Sequence, residues 1–186
     1  MLGGINGAGK TTASRELLEN VLKIPYVREC RCHRARLERL NPESEAFRAG
    51  RIMLEQMHQL VKNREDFSFE TTLSARTYAP WLKEMLGQGY EVMLYYYWLD
   101  SPSLAIGRVA ARVRSGGHFV PDADIRRRYA RSVKNFLELY RPVADWWEVF
   151  DNSHGQRVLL AIGSREVETI DHPDIWEAFK RSAENV

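Results

Sequence analysis

The sequence predicts an α/β fold of three layers, in which helices cover both faces of a mostly parallel sheet. Helical and strand-like patterns alternate along the 186 residues, and such alternation favours parallel βαβ units. The segment YEVMLYYYWLD (90–100) predicts the strongest strand, because it is rich in aromatic residues and contains no breaker. A glycine-rich stretch opens the first helical segment. The length fits a single domain spanning 1–186.

Three helical patterns occupy the first half of the chain. We expect helices over Lys10–Lys23, Glu43–Val61 and Tyr78–Leu86, because apolar residues recur there at helical spacing. A short apolar strand is expected at Phe67–Phe69. The inner faces of the first two helices carry Leu17, Leu18, Val21, Phe47, Met53, Met57 and Leu60.

The second half continues the alternation. Ser101 is expected to cap a helix that has Pro102 at its first position and ends near Arg114. A longer helix should begin near Asp122 and end before Pro142. The remaining predicted elements are the strands WEVFD (147–151) and RVLLAIG (157–163) and the closing helix DIWEAFKRS (174–182). The longer helix should bury Tyr129, Val133, Phe136 and Tyr140.

Composition argues against a membrane or secreted protein. The hydrophobic share of 44% and the charged share of 28% are ordinary for a soluble globular chain. No apolar run approaches the roughly 20 residues that span a bilayer, and no signal-like segment opens the sequence. The two cysteines, Cys30 and Cys32, are too close together for a disulfide framework. We expect a cytoplasmic protein with no membrane partner.

Arginine dominates the positive charge, with 21 arginines against 6 lysines, although the net charge is only +2. Between Arg108 and Lys134, eight basic residues accompany only two acidic ones, Asp122 and Asp124. The planar guanidinium group suits phosphate oxygens, so this cluster predicts an anionic ligand. A solvated helical face is the alternative interpretation.

The stretch GINGAGKT, Gly4 to Thr11, matches G-x-x-x-x-G-K-[ST] in full and is called the glycine loop below. Its glycines let the backbone point N–H groups at phosphates, and the following helix adds its positive end. Lys10 would reach the β- and γ-phosphates, and the Thr11 hydroxyl would occupy one position on Mg²⁺. The motif predicts a P-loop NTPase-type fold that binds ATP through Gly4, Asn6, Gly7, Ala8, Gly9, Lys10, Thr11 and Thr12.

Only Met1, Leu2 and Gly3 precede the glycine loop. Three residues are few for a strand that should be central. We therefore expect the first strand to be truncated, with the coding start lying upstream.

Four further segments extend the pattern: FSFETTLS (67–74), the long stretch 89–121, IRRRYARSVKNF (125–136) and LYRPVADWWEVFDNS (139–153). With the glycine loop, they resemble the zeta-toxin family of P-loop kinases, in particular the short chromosomal type often labelled predicted ABC-type ATPases. The resemblance covers nearly the whole chain except 26–40. It implies transfer of the ATP γ-phosphate to a hydroxyl of a small acceptor, with UDP-N-acetylglucosamine as the family's example, and an antitoxin protein as a partner.

The resemblance also directs attention to a candidate acceptor segment. Glu70 follows a short apolar strand, at the sheet edge where α/β proteins bind ligands. It would hold Mg²⁺ through water or grip the acceptor, and Thr71 and Thr72 would add hydroxyls. An ordinary surface glutamate is the alternative interpretation.

A helical lid is predicted at about 112–128, around the loop SGGHFVP (115–121). Arg112, Arg127 and Arg128 would stabilise charge on the transferring phosphoryl group, and His118 would contact phosphate or substrate. Asn152 is predicted to contact the adenine base, because FDNS resembles the segment that approaches adenine in relatives. A simple strand-ending turn is the alternative for Asn152.

The stretch YVRECRCHRARLERLNP (26–42) departs from the family. Relatives carry Y-V-N-A-D-x-I-A here, and the aspartate implied as general base falls on Cys30, which is not a carboxylate. The spacing disfavours a zinc site, and a basic arm for nucleic acid would lack interleaved aromatic residues. Codons can be chosen for this stretch that encode the missing motif when shifted by one base. We therefore expect a pair of compensating frame errors, or a real frameshift scar, between about Tyr26 and Asn41.

The preferred hypothesis is thus a cytoplasmic ATP-dependent phosphotransferase with ATP, Mg²⁺ and a small hydroxyl acceptor as its ligands. Nucleic acid is not expected as a partner. Two alternatives stay open: a P-loop ATPase coupled to a protein partner, and a catalytically dead nucleotide-binding or toxin–antitoxin interaction protein. The sequence lacks the LSGGQ-type signature of transporter ATPases.

Overall fold

The computed structural model describes residues 1–17, 26–27 and 42–184, with side chains described for 1–14 and 51–184. The chain divides into two compact units. The first comprises Met1–Thr12 and Thr71–Val186, and the second comprises Ala13–Glu70. The predicted single domain of 1–186 stays a prediction.

Seven strands and six α-helices are formed by the described residues. The strands are β1 (Leu2–Gly4), β2 (Tyr26–Val27), β3 (Ser68–Phe69), β4 (Met93–Trp98), β5 (Trp146–Asp151), β6 (Val158–Ser164) and β7 (Glu168–Ile170). The helices are α1 (Lys10–Leu17), α2 (Pro42–Lys62), α3 (Tyr78–Gly87), α4 (Pro102–Arg114), α5 (Asp122–Asn135) and α6 (Pro173–Arg181). A π-helical turn, Phe136–Tyr140, and a 3₁₀ turn, Arg141–Val143, continue α5.

The first unit is built on a five-stranded sheet with the order β1-β4-β5-β6-β7. Strands β1, β4 and β5 run parallel, whereas β6 and β7 each pair antiparallel with the strand before them. Strand β1 has only three residues but pairs along its whole length, from Leu2 opposite Tyr95 to Gly4 opposite Tyr97. The predicted α/β class with a mostly parallel sheet is confirmed.

Most predicted elements are present with small boundary differences. Helices α2 to α6 and strands β3 to β6 lie where the patterns placed them. Residues 18–23 of the predicted first helix lie outside the described residues, as do the side chains of Leu17 and Phe47. Strand β7 was not predicted.

Local chemistry explains where α4 begins. The Ser101 side chain accepts a hydrogen bond of 3.2 Å from the Leu104 backbone N–H, and Pro102 occupies the first turn, as predicted. The helix ends before Ser115, whose backbone N–H reaches back to the carbonyls of Ala111 and Arg112.

Aromatic rings form the core on one face of the sheet. The Phe136 ring centroid lies 4.7 Å from that of Tyr96 and 5.8 Å from that of Phe179. Trp147 stacks on Trp176 with 6.0 Å between centroids. All five side chains are buried, and each ring pair adds about 0.5–1.5 kcal/mol beyond its area burial. Trp147 is thus a packing residue, while the neighbouring Trp146 is partly exposed.

The second unit contains α2 and a parallel pair of two-residue strands. Tyr26 of β2 lies opposite Ser68 of β3, and Val27 lies opposite Phe69. Met53 and Met57 of α2 are buried, which matches the predicted inner face. Among the described helices, none combines the length and the hydropathy that a bilayer span requires.

Candidate functional site

The glycine loop leaves β1 and enters α1 at Lys10. Gly4 has φ +134°, and a Cβ atom there would lie 2.1 Å from the Tyr97 carbonyl oxygen of the neighbouring β4. No side chain fits at that distance, so glycine is required for the loop to leave the sheet here. The Ile5 backbone N–H still donates to Tyr97 O at 3.0 Å, which fixes the start of the loop against β4.

Lys10 is folded back over the loop. Its Nζ donates to the carbonyl oxygens of Gly4 and Ile5, each at 2.9 Å. The Ala8 N–H donates to Ile5 O at 3.2 Å, so the loop is closed on itself. The ammonium group therefore lies within the curve of the backbone, at the N-terminal end of α1. Its charge adds there to the positive end of the helix dipole.

A second turn lies against this loop. We name it the β5 turn, Asp151–Ser153. The Asn152 side-chain amide donates to Ala8 O at 2.9 Å, and its backbone N–H donates to Trp98 O at 3.1 Å. The structure thus places Asn152 on the backbone of the glycine loop.

The β5 turn is itself held by several groups. Asp151 and Ser153 are buried, and both the backbone N–H and the hydroxyl of Ser153 donate to Asp151 Oδ1. The Asp100 N–H donates to Ser153 Oγ, and Arg108 donates to Ser153 O, both at 2.9 Å. Three elements, β4, β5 and α4, therefore meet at this turn.

The predicted lid contains Arg112 and His118 in direct contact. Arg112 donates to the His118 carbonyl oxygen at 2.7 Å, and the Gly117 N–H donates to Arg112 O at 2.9 Å. The arginine thereby organises the loop between α4 and α5. Phe119, at the outer part of this loop, is 60% exposed.

Arg127 and Arg128 share one carboxylate on α5. Arg127 lies 2.7 Å from Asp124, and Arg128 lies 3.5 Å from the same side chain. Such exposed pairs within one helix contribute little to stability. Both guanidinium groups can therefore exchange Asp124 for another anion at small cost.

The segment Thr71–Ala75 is held firmly by the sheet and by α5. The Thr71 N–H donates to Leu2 O at 2.9 Å, and the Thr72 and Ser74 hydroxyls lie 2.8 Å apart. Leu73 is fully buried with φ +56°, an unfavourable conformation for leucine. Backbone strain of this kind is found preferentially at functional sites.

Glu70 was also predicted to belong to the site, and Cys30 occupies the position that the resemblance implies for the general base. Glu70 belongs to the second unit, directly after β3 and half-buried, as its predicted position at a strand end requires. Cys30 and the rest of the atypical stretch 28–40 lie outside the described residues. The roles predicted for Glu70, Thr71, Thr72 and His118 stay predictions.

Sequence reasoning assigned no supporting role to the polar residues that hold the backbone of the site, although it counted Arg108 among the basic residues expected to meet an anionic ligand. Asp151, Ser153 and Arg108 support the β5 turn, while Ser132 and Asn135 face inward from α5 and are buried. The sequence did contain a signal for Ser132 and Asn135. Both lie between Tyr129 and Phe136 on the predicted inner face of the helix, where a buried polar side chain needs a hydrogen-bond partner.

A Mg²⁺ ion that arrives with a nucleotide would need only one or two protein ligands. In the part of the chain with described side chains, no group of three or more His, Cys, Asp or Glu residues could hold a metal ion. Magnesium is commonly bound through one or two protein ligands together with substrate phosphates. The half-exposed Thr11 hydroxyl, at the start of α1, is the side chain that would hold it.

One curated protein resembles this chain in sequence. An uncharacterized protein of Haemophilus influenzae is 29% identical over 129 residues, which are 68% of this chain and 88% of that protein. No family model matches the sequence.

Solved structures resemble the chain over nearly its whole length. The AvrRxo1-ORF1:-ORF2 complex with ATP has a TM-score of 0.74 and 12% identity, covering 96% of this chain. The PezAT chromosomal toxin–antitoxin system of Streptococcus pneumoniae has a TM-score of 0.65 and 15% identity, covering 100% of this chain and 83% of its own. The chain spans only 62% of the AvrRxo1 chain that it matches. These similarities show that the chain shares the fold of these solved structures.

Proposed function

We propose that the chain is an ATP-dependent phosphotransferase of the zeta-toxin type, which moves the ATP γ-phosphate to a hydroxyl of a small acceptor. The observation that carries the proposal is the glycine loop, folded at the carboxyl end of the parallel pair β1–β4 with Lys10 inside its curve. A UDP-sugar, with UDP-N-acetylglucosamine first, is the acceptor to test. The ATP in the AvrRxo1-ORF1:-ORF2 complex supports the choice of nucleotide.

Each residue has a defined task in this proposal. When ATP binds, Lys10 exchanges the carbonyls of Gly4 and Ile5 for β- and γ-phosphate oxygens, and the backbone of the glycine loop supplies N–H donors. Thr11 would hold Mg²⁺, which would neutralise charge on the phosphates. Arg112, Arg127 and Arg128 stabilise the charge that develops on the transferring phosphoryl group.

The acceptor hydroxyl is assigned to the segment that begins at Glu70. Thr71 and Thr72 carry hydroxyls for binding it, and Glu70 would grip the acceptor or hold Mg²⁺ through water. The resemblance places the general base at position 30, where this chain has Cys30 in place of the family's aspartate. An antitoxin-like partner protein is part of the same proposal and is supported by the similarity to the PezAT toxin–antitoxin system.

The test is acceptor-dependent phosphoryl transfer by the full chain. ATP labelled on the γ-phosphate is incubated with Mg²⁺, with and without UDP-N-acetylglucosamine. We expect labelled sugar nucleotide only when the acceptor and Mg²⁺ are both present, and none with Lys10→Ala. Lys83→Ala, an exposed lysine on α3, is the matched control and should leave transfer unchanged.

Other outcomes would favour the alternatives. Release of labelled phosphate without an acceptor indicates a P-loop ATPase. Binding of ATP without turnover indicates a catalytically dead nucleotide-binding protein, as expected if Cys30 truly replaces the base.

A further inference from the structure

The contact between Asn152 and Ala8 joins residues 144 positions apart in sequence. The Asn152 Nδ2 atom donates to Ala8 O at 2.9 Å, within the middle of the glycine loop. Its own backbone is fixed, because the Asn152 N–H donates to Trp98 O at 3.1 Å. The amide is therefore presented to the glycine loop from a rigid strand end.

The other residues of the β5 turn restrain the backbone at Asn152. Ser153 is 7% exposed and Asp151 is 6% exposed, and Ser153 binds Asp151 through both its N–H and its hydroxyl. Arg108 holds the Ser153 carbonyl oxygen at 2.9 Å, and the Asp100 N–H holds the hydroxyl at the same distance. Buried, fully bonded networks of this kind fix one arrangement of the backbone.

The contact determines which way a peptide group points. In a trans peptide the C=O of one residue and the N–H of the next point in opposite directions. Because Asn152 fixes the direction of the Ala8 oxygen, it also fixes the Gly9 N–H on the opposite side of the same peptide group. In the proposed function, the Gly9 N–H is one of the backbone donors offered to a phosphate.

Gly9 itself fits this arrangement. It has φ +82°, and a Cβ atom there would lie 2.8 Å from Asn152 Nδ2. The approach of Asn152 to the loop thus depends on the absence of a side chain at position 9, which is a second reason for glycine there besides the backbone conformation.

We propose that Asn152 is a positioning residue for the glycine loop, which acts on the phosphates through the Ala8–Gly9 peptide group and does not read the nucleotide base. The inference rests on the nucleotide binding in the proposed function and deepens it. It replaces the sequence-based expectation of an adenine contact with a role that is independent of the base.

Three probes separate the two roles: ATP, GTP and inorganic tripolyphosphate, each titrated calorimetrically with Mg²⁺. One hydrogen bond is worth about 1 kcal/mol, so Asn152→Ala should weaken binding of all three by a similar factor, about fivefold to tenfold. Loss confined to ATP would show a base contact and overturn the proposal. Gln156→Ala, an exposed position beyond the turn, is the matched control.

A second readout needs no ligand and no activity. In the free protein, hydrogen exchange of the backbone amides in the glycine loop should be faster in Asn152→Ala than in the unchanged chain, while exchange in β4 and β5 stays the same. Unchanged exchange in the loop would refute the positioning role. If Asn152→Ala fails to fold, Asn152→Asp keeps the shape and lacks the donor, and should give the same faster exchange. Absence of binding by the unchanged protein would instead refute the proposed function, while the exchange result still decides the role of Asn152.

Discussion

At the scale of single residues, Gly4 links the sheet to the glycine loop. It is the last residue of β1, and it must turn the chain while remaining beside the β4 backbone. The Tyr97 carbonyl oxygen occupies the space that a side chain would need, and the φ of +134° is one that side-chain-bearing residues rarely adopt. The motif glycine is therefore needed for folding as well as for the proposed phosphate binding.

Replacing Gly4 by alanine should destabilise the protein strongly. Backbone strain at such a position costs about 1–3 kcal/mol, and the contact with Tyr97 O adds to it, so we expect a loss of about 3 kcal/mol or more in the free energy of unfolding. Urea denaturation measures it. Gly87→Ala is the matched control, because Gly87 has an ordinary φ and no atom lies within 4 Å of the position that an alanine methyl group would take there. This substitution at the end of α3 should raise the free energy of unfolding by about 0.5–1 kcal/mol. Equal effects of both substitutions would contradict this account.

At the scale of elements, α5 and the π-helical turn after it act together on the segment Thr72–Ala75. Ser132 donates to Thr72 O at 2.5 Å, Asn135 donates to Leu73 O at 2.8 Å, and Tyr140 donates to Ala75 O at 2.5 Å. This segment includes Thr72, which is proposed to bind the acceptor molecule. It is thus held by the helix that also carries Arg127 and Arg128. The winding changes from α- to π-helical after Asn135, between the first and the last of these three donors. Such changes are frequent at functional sites.

Asn135→Ala should loosen this segment. The substitution leaves the buried Leu73 carbonyl without its donor, at a cost of about 1–3 kcal/mol in the free energy of unfolding. Hydrogen exchange of the amides of residues 71–75 should also become faster. Lys134→Ala, its exposed neighbour on α5, is the control; it should leave the exchange unchanged and alter the free energy of unfolding by no more than about 0.5 kcal/mol. If exchange rises equally over the whole sheet, the role of Asn135 is general packing and not support of this segment.

Elements with strong periodic patterns could be predicted from the sequence. The directions of the strands in the sheet were harder to predict. Helices α2 to α6 follow apolar spacing, and the cap at Ser101 follows from side-chain chemistry. The antiparallel direction of β6 could have been predicted, because the link 152–157 is too short for a parallel crossover. Strand β7 could not, since its three residues are exposed and carry no apolar pattern.

Some parts of the candidate site could likewise be predicted from the sequence, and others could not. The glycine loop was predictable because its motif lies in one short stretch of sequence. The contacts that hold it were not, because Asn152 and Arg108 act on backbone oxygens far away in sequence. Side-chain bonds to the main chain leave no pairing pattern that a single sequence could reveal, so Asn152 was interpreted as a base contact from resemblance alone.

At the scale of the whole molecule, tyrosines are built into the core with their hydroxyls bonded. The Tyr96 hydroxyl bonds to Ser132 Oγ at 2.7 Å, and the Tyr129 hydroxyl donates to Leu99 O at 2.5 Å. Burial raises the pKa of both side chains above the ordinary value. Burial also raises the pKa of Tyr97 and of Tyr140 to about 12. The folded state therefore requires these phenols to remain protonated.

This requirement predicts a loss of stability at alkaline pH. Below about pH 10, the ordinary tyrosine pKa, these phenols are protonated in both states and the full stability is present. Between about pH 10 and 12 the unfolded chain loses protons that the folded chain retains, so the free energy of unfolding falls as pH rises, by up to about 1.4 kcal/mol per pH unit for each buried tyrosine. Urea midpoints measured across this range, with ultraviolet absorbance of tyrosinate as a second probe, test the prediction. Tyr140→Phe removes one titrating group and should make the fall shallower, because its ring stays buried while the ionisation is lost. The tyrosinate absorbance that is missing in Tyr140→Phe belongs to Tyr140, and in the unchanged chain it should appear together with unfolding. Its appearance near pH 10 in a chain that is still folded would show that the Tyr140 hydroxyl is accessible and would contradict the prediction.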